Sequence, residues 1–128
     1  MIVDSSAIVA ILLKEPGYER LRGHMATAKQ VSVGAPTALE SSLVLCSRLG
    51  RAGKTLLARF LQEAEIEVVE FVADNWTVAA DAFLAYGKGR HRAGLNFGDC
   101  MTYAVAKLAG EPLLCLGDDF PATDLELS

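Results

Sequence analysis

The sequence lacks the features that mark membrane and secreted proteins. No apolar run approaches the roughly 20 residues that a membrane span needs, and the longest covers only residues 7–13. The opening MIVD has no basic region of the kind that begins a secretory signal, so we expect a cytoplasmic protein. The 128 residues contain no repeat, low-complexity tract or linker, which indicates one domain over residues 1–128.

The sequence also lacks the spacing of a disulfide framework or a zinc site. It has three cysteines, an odd number, and no C-x-x-C pair. Its two histidines are not spaced with the cysteines as zinc ligands. Each cysteine lies in an apolar stretch, so we expect three buried free thiols. These five residues are Cys46, Cys100, Cys115, His24 and His91.

An excess of basic residues is absent as well. The net charge is −4 and the pI is near 5.1, which counts mildly against a nucleic-acid partner because such proteins usually carry a basic surface. A local basic patch, or cations masking the carboxylates, would still permit one. The hydrophobic share of 52% predicts well-covered strands and a surface that a partner covers.

Short apolar strands alternate with amphipathic helices along the chain, and Asp74 is in a position to cap one of the helices. This order favours right-handed crossovers and a mostly parallel sheet between two helical layers. Strands are predicted at residues 1–4, 30–34, 67–72 and 112–116, with a last edge strand at 125–127.

Acidic residues stand where the predicted strands end or the helices begin. In an α/β sheet, ligands bind at the carboxyl edge of the strands. Carboxylates that meet there repel one another unless a cation joins them, and oxygen ligands suit Mg²⁺ or Mn²⁺. The residues concerned are Asp4, Glu40, Asp99, Asp118 and Asp119.

Each acid also has a local explanation. Asp4 can cap the first helix, and Glu40 forms a capping-box pattern with Thr37. Asp99 complements a helix dipole, and the Asp118–Asp119 pair suits a turn. These explanations do not account for acids arriving at one edge from four separate elements. A metal site therefore remains the prediction for the whole set.

Two polar residues fit as supports for the acids. Ser6 is placed to hold a ligand carboxylate through its hydroxyl, although a plain position in the first helical turn also explains it. Asn96 either orders the loop before Asp99 or serves as an ordinary turn residue.

The segments MIVDSSA, PTALE, GLNFGDC and LLCLGDDF followed by PATD, in this order, resemble the PIN-domain ribonucleases. More narrowly, they resemble the VapC toxins of bacterial toxin–antitoxin pairs, and the likeness runs from residue 1 to about residue 124. The resemblance implies a three-layer α/β/α PIN-like domain with an acidic metal site. It assigns catalytic roles to three acids, Asp4, Glu40 and Asp99.

The resemblance leaves the fourth acid open. Many relatives have an aspartate where Gly117 stands in this chain. Asp119, beside Phe120, is then the better candidate. Asp118 is the alternative or a supporting carboxylate, and Asp124 is an outside candidate.

The implied activity is metal-dependent hydrolysis of phosphodiester bonds. One or two Mg²⁺ ions, for which Mn²⁺ can substitute, would be held by Asp4, Asp99 and Asp119 with help from Glu40. A water, rather than a side chain, would attack. The implied partners are a structured RNA such as tRNA or rRNA, a VapB-like antitoxin and a second copy of the chain.

The only dense basic run is KGRHR, which precedes Asp99 and supplies Lys88, Arg90 and Arg92. We expect these three residues, called the basic loop below, to hold RNA phosphates. A solvated loop and a docking site for a partner's acids are the alternatives.

Three other functions compete with the ribonuclease. A PIN-like module without catalysis would keep its acids as caps and bind a partner protein. An aspartyl-phosphate protein fits poorly, because Ser6 stands where such a phosphatase has its second acid and no lysine follows Leu116 as a receiver domain requires. A nuclease acting on DNA would have the same metal site, because discrimination against DNA depends on contacts to the 2′-hydroxyl.

Overall fold

The computed structural model describes residues 1–128 as one sheet of four short strands covered by six helices. None of these helices combines the length and apolar character needed to cross a membrane. The strands are β1 (Ile2–Val3), β2 (Val31–Gly34), β3 (Ile66–Val69) and β4 (Leu113–Leu114). The helices are α1 (Ser5–Leu12), α2 (Tyr18–Thr27), α3 (Ala35–Leu49), α4 (Ala52–Glu63), α5 (Ala73–Tyr86) and α6 (Phe97–Ala109), and a 3₁₀ turn follows at Phe120–Ala122.

The sheet is parallel throughout, with the strand order β3-β2-β1-β4. Ile2 of β1 pairs with Ser32 on one side and with Leu113 on the other. The first and last strands of the chain are therefore neighbours in the sheet. All four carboxyl ends point to the same edge, as the α/β/α prediction requires.

Alternating side chains of the central strand enter two separate cores. Val3 is fully buried among residues of β2 and α1 to α4, whereas Ile2 packs with α5 and α6 on the opposite face. Leu113 and Leu114 of β4 divide in the same way. Because successive residues of a strand point to opposite faces, this division confirms three layers.

Several local predictions were wrong. The residue that caps α5 is Val72, and Asp74 lies in the first turn without a capping hydrogen bond. The expected edge strand at 125–127 is reduced to one bridge between Leu113 and Leu127. Only Cys100 is buried, since the other two cysteines, Cys46 and Cys115, keep partial contact with solvent.

Candidate active site

Asp4 directly follows β1 and caps α1 with one carboxylate oxygen. Its Oδ2 accepts hydrogen bonds from the Ser6 backbone N–H at 3.1 Å and from the Ser6 hydroxyl at 2.6 Å. The residue is 3% exposed, and its Oδ1 is the one buried side-chain oxygen or nitrogen in the protein that has no hydrogen-bond partner. Leaving a buried carboxylate oxygen unpaired is costly, so this atom indicates a missing cationic or hydrogen-bonding ligand.

Ser6 occupies the supporting position that the sequence predicted. Besides donating to Asp4, its hydroxyl accepts the Leu116 backbone N–H at 3.0 Å. One hydroxyl therefore connects the start of α1 to the chain that leaves β4. This contact fixes Asp4 relative to the segment that carries Asp119.

Asp99 lies in the first turn of α6 and forms a capping box with Asn96. The side-chain oxygen of Asn96 accepts the Asp99 N–H at 2.9 Å, and Asp99 Oδ2 accepts the Asn96 N–H at 3.1 Å. Burial raises the pKa of Asp99 from 3.8 to about 6, and the charges of Asp4, Asp119 and Glu40 add to the rise. The three other carboxylates are therefore within electrostatic range of Asp99.

Glu40 does not form the capping box that its sequence suggested. Helix α3 begins at Ala35 with Gly34 as its cap, and the Thr37 hydroxyl is instead paired with the Thr102 hydroxyl at 2.8 Å. Glu40 Oε1 accepts a hydrogen bond from the Ser5 hydroxyl at 2.6 Å. The carboxylate is thereby held toward the end of β1, near Asp4.

The remaining acids lie in the segment after β4 and differ in their surroundings. Asp119 is exposed and its charge acts on Asp99, whereas the exposed Asp118 does not contribute to that shift. Asp124 accepts hydrogen bonds from the Tyr103 hydroxyl at 2.6 Å and from Lys107 at 2.7 Å. These contacts engage Asp124 away from the other acids, so this outside candidate does not join the cluster.

The three innermost carboxylates share one arrangement. In Asp4, Asp99 and Glu40, one oxygen accepts a hydrogen bond from the chain and the other has no protein donor. The side chains as they stand do not bring three ligands to a single metal position. The donor set nevertheless fits a hard divalent cation, because it consists of carboxylate oxygens and includes the unpaired Oδ1 of Asp4.

Neither Cys115 nor His91 is arranged to act as a nucleophile or a general base beside these acids. Burial, followed by the charge of Asp4, raises the pKa of the Cys115 thiol to about 12, so it stays protonated at neutral pH. His91 packs edge-on against Tyr86, and its Nδ1 accepts the Ala93 N–H. The arrangement therefore suits the activation of a water by carboxylates and a cation.

Two residues that contact Glu40 were missed by the sequence reasoning. Ser5 is adjacent in the sequence to the predicted Ser6. Only its position in the first helical turn, which places it on a different face of α1, distinguishes it from Ser6. Gly98 precedes Asp99 and lies against the Glu40 carboxylate. A glycine in a helical turn where the backbone does not need one is the only sequence signal for that contact.

The basic loop lies immediately before α6. Lys88, Arg90 and Arg92 are all exposed, and neither of the two salt bridges in the protein involves them. The Arg90 guanidinium lies over the Phe83 ring at 5.5 Å. These cations are therefore available to an anionic partner.

An apolar groove borders the acids. It has a volume of about 820 Å³ and lies between α3, the end of β3 and the start of α6, with Glu40 and Gly98 in its wall. Phe97, at the first position of α6, is 82% exposed beside it. Other exposed apolar residues on this surface are Leu39, Leu43, Val72 and Trp76.

A parallel α/β/α fold with acids from β1, α3, α6 and the segment after β4 defines a PIN-domain protein. The PIN domain model matches residues 1–125, and the chain belongs to that family. Its relatives within the family are VapC ribonucleases. Ribonuclease VapC36 of Mycobacterium tuberculosis is 47% identical over 127 residues, covering 98% of this chain and 91% of the relative.

Two further comparisons agree. Ribonuclease VapC of Mycolicibacterium smegmatis is 44% identical over 125 residues, which cover 98% of this chain and 97% of that protein. The crystal structure of M. tuberculosis VapC20, described as a sarcin–ricin loop cleaving toxin, superposes with a TM-score of 0.79. That structure shares 19% identity and covers 97% of this chain and 95% of its own, so it supports the fold alone.

Proposed function

We propose that this chain is a single-domain, divalent-metal-dependent endoribonuclease and the toxin of a VapBC-type pair, acting in the cytoplasm on structured RNA. The observation that carries the proposal is the shared arrangement of the three inner carboxylates. Each has one oxygen fixed by the chain and one without a protein donor, and the free oxygen of Asp4 is buried. Such a set suits Mg²⁺, with Mn²⁺ as a substitute.

The chain's own residues would divide the work as follows. Asp4 Oδ1 and the free oxygen of Asp99 would be the main metal ligands, and Glu40 and the exposed Asp119 would complete the set. When bound, one or two divalent ions supply charge neutralisation at the scissile phosphate and lower the pKa of a water. The acceptors for a proton from that water are carboxylates, because neither histidine contributes to the shifted pKa of Asp99.

The basic loop supports an RNA substrate. Its three exposed cations have no acidic partner in the protein, and they lead directly into the helix that carries Asp99. Contacts to phosphates fix the register of a nucleic acid without reading its sequence. Both ribosomal RNA and tRNA are proposed targets, since VapC20 supports only the fold here.

The decisive experiment is cleavage of RNA by the purified protein with Mg²⁺, with Mn²⁺ and with EDTA. We expect discrete products from total RNA, tRNA or a sarcin–ricin loop oligonucleotide that depend on metal and disappear in Asp99→Asn. Asp81→Asn is the matched control, because Asp81 is an exposed acid on α5 without a hydrogen bond. Cleavage that persists in EDTA or in Asp99→Asn would contradict the proposal.

The fourth ligand can be tested in the same assay. Asp119→Asn is expected to reduce cleavage strongly, while Asp118→Asn leaves most of it, because Asp119 is the one of these two acids that acts electrostatically on Asp99. The reverse order would assign the role to Asp118.

We also propose a VapB-like antitoxin and a homodimer. The supporting feature is the apolar groove, whose exposed side chains include Leu43 at 62% and Phe97 at 82%. A monomer rarely exposes so many large apolar residues together unless a partner covers them. We assign this groove to a second copy of the chain, and we expect Leu43→Arg to yield a monomer in analytical ultracentrifugation. A variant that stays dimeric but no longer binds antitoxin would assign the groove to the antitoxin.

The second candidate is a catalytically inactive PIN-like module that binds a partner protein. Gly117 favours it, because the resemblance places an aspartate there in many relatives. The backbone of Gly117 has φ of +99°, a conformation that strains an aspartate side chain. A folded protein that binds antitoxin but neither Mn²⁺ nor RNA would select this candidate.

A further inference from the structure

The Glu40 carboxylate is held from two sides by residues distant in the sequence. On one side the Ser5 hydroxyl, at the start of α1, donates to Oε1 at 2.6 Å. On the other side lies Gly98, in the first turn of α6. Glutamate has more rotatable bonds than aspartate and loses more side-chain entropy when it is fixed, so its position depends on such contacts.

Gly98 leaves space that the carboxylate fills. An ideal Cβ on Gly98 would lie 2.9 Å from Cδ of Glu40 and would overlap Oε2. Of the eleven glycines in the chain, this is the only one whose missing side chain would meet an acidic group. Gly98 also lies outside the left-handed region, so its backbone conformation does not require glycine.

We propose that Ser5 and Gly98 are positioning residues for the acid site, which together determine where the Glu40 carboxylate lies. Ser5 fixes Oε1, and the open space at Gly98 lets Oε2 lie beside the first turn of α6, next to Asp99. A methyl group at position 98 would push the carboxylate away from Asp99. This inference rests on the proposed function, because it treats Glu40 as part of a metal site.

Mn²⁺ affinity, measured by calorimetric titration and by electron paramagnetic resonance, tests the proposal without relying on cleavage. Residues that orient ligand side chains typically change metal affinity by about 10- to 100-fold when replaced. We expect Gly98→Ala and Ser5→Ala each to weaken Mn²⁺ binding by about 10-fold. Ser5→Thr keeps the hydroxyl and is expected to retain most of the affinity.

A double-variant cycle separates positioning from general packing. If Gly98 acts through Glu40, adding Gly98→Ala to Glu40→Ala causes no further loss of Mn²⁺ affinity. The matched control is Gly23→Ala in α2, where a Cβ would meet nothing within 4 Å. Because alanine favours a helix over glycine, neither single substitution is expected to destabilise the fold through the backbone.

Two results would overturn the inference. One is unchanged Mn²⁺ affinity in Gly98→Ala, and the other is an additive loss in the double variant. If the wild-type protein binds no Mn²⁺, the proposed function fails, and a crystal structure of metal-free Gly98→Ala decides the positioning separately. A displaced Glu40 carboxylate without its Ser5 hydrogen bond confirms the positioning, and an unmoved one refutes it.

Discussion

Replacing Asp99 by asparagine is expected to stabilise the metal-free fold while it removes a proposed metal ligand. The pKa of Asp99 rises from 3.8 to about 6, chiefly because the carboxyl is buried and secondarily because it faces other acids. A carboxyl with a higher pKa in the folded state holds its proton more tightly there than in the unfolded chain. The folded state therefore loses stability as the pH rises from about 4 to about 6, and the loss remains at higher pH.

The size of this effect follows from the shift. A rise from 3.8 to about 6 corresponds to roughly 3 kcal/mol. Asp99 keeps partial contact with water, which screens its charge. We therefore expect its ionisation to lower the unfolding free energy by about 1–2 kcal/mol. Asparagine retains an oxygen that can accept the Asn96 N–H, so the cap of α6 is preserved in the variant.

Urea unfolding in EDTA measures the difference directly. At pH 8 we expect Asp99→Asn to exceed the wild type in unfolding free energy by about 1–2 kcal/mol, and at pH 5 by about half as much. Addition of Mn²⁺ should reverse the order, because a ligand that binds only the folded wild type stabilises it alone. Asp81→Asn serves again as the control and should change neither value.

The reasoning is refuted if Asp99→Asn is no more stable than the wild type at pH 8 in EDTA. That outcome would mean that Asp99 is well solvated or already paired with a cation of the protein. A pH-independent gain would instead point to a packing effect of the amide, unrelated to charge.

Three further predictions concern the hydroxyl that supports Asp4, the packing of α4 against α3, and the basic loop. Ser6→Ala is expected to lower the unfolding free energy by about 1–3 kcal/mol in urea, because the Leu116 N–H loses its acceptor; an unchanged value would contradict this. Gly53→Ala should lower the unfolding free energy in urea by about 1–3 kcal/mol, because its Cβ would lie 2.5 Å from the backbone carbon of Leu45. Gly23→Ala should not lower it. Replacing all three cations of the basic loop by alanine in the Asp99→Asn background should reduce the slope of log K for RNA against log salt by about 2; an unchanged slope would exclude phosphate contacts there.

The sequence predicted the edge of the sheet at which the acids gather, because strand–helix alternation specifies parallel strands and each acid lies next to an element end. From the sequence, a cap and a metal ligand are alternative roles for each acid, whereas in the structure capping occupies only one of the two carboxylate oxygens. Asp4 caps α1 with Oδ2 and leaves Oδ1 free, and Asp99 does the same with its own pair of oxygens. A local capping pattern in the sequence predicts the partner of one carboxylate oxygen and contains no information about the other oxygen.

Contacts between distant segments account for what the sequence could not predict. The Thr37 and Glu40 spacing has the form of a capping box, yet both side chains are engaged by partners on other elements, Thr102 and Ser5. These tertiary hydrogen bonds replace the local ones, and α3 begins at Ala35 instead. The space at Gly98 is likewise visible only when α3 and α6 are packed together.

The pairing of the first strand with the last has a consequence for the protein during its synthesis. β1 lacks its neighbour β4 until residues near 114 are available, and the acids that gather at the sheet edge range from Asp4 to Asp119. A nascent chain still held on the ribosome carries its early acids without the later ones and without β4, the strand that pairs with β1 on one side. The protein therefore assembles its full set of acids at the sheet edge only after its final segment has emerged.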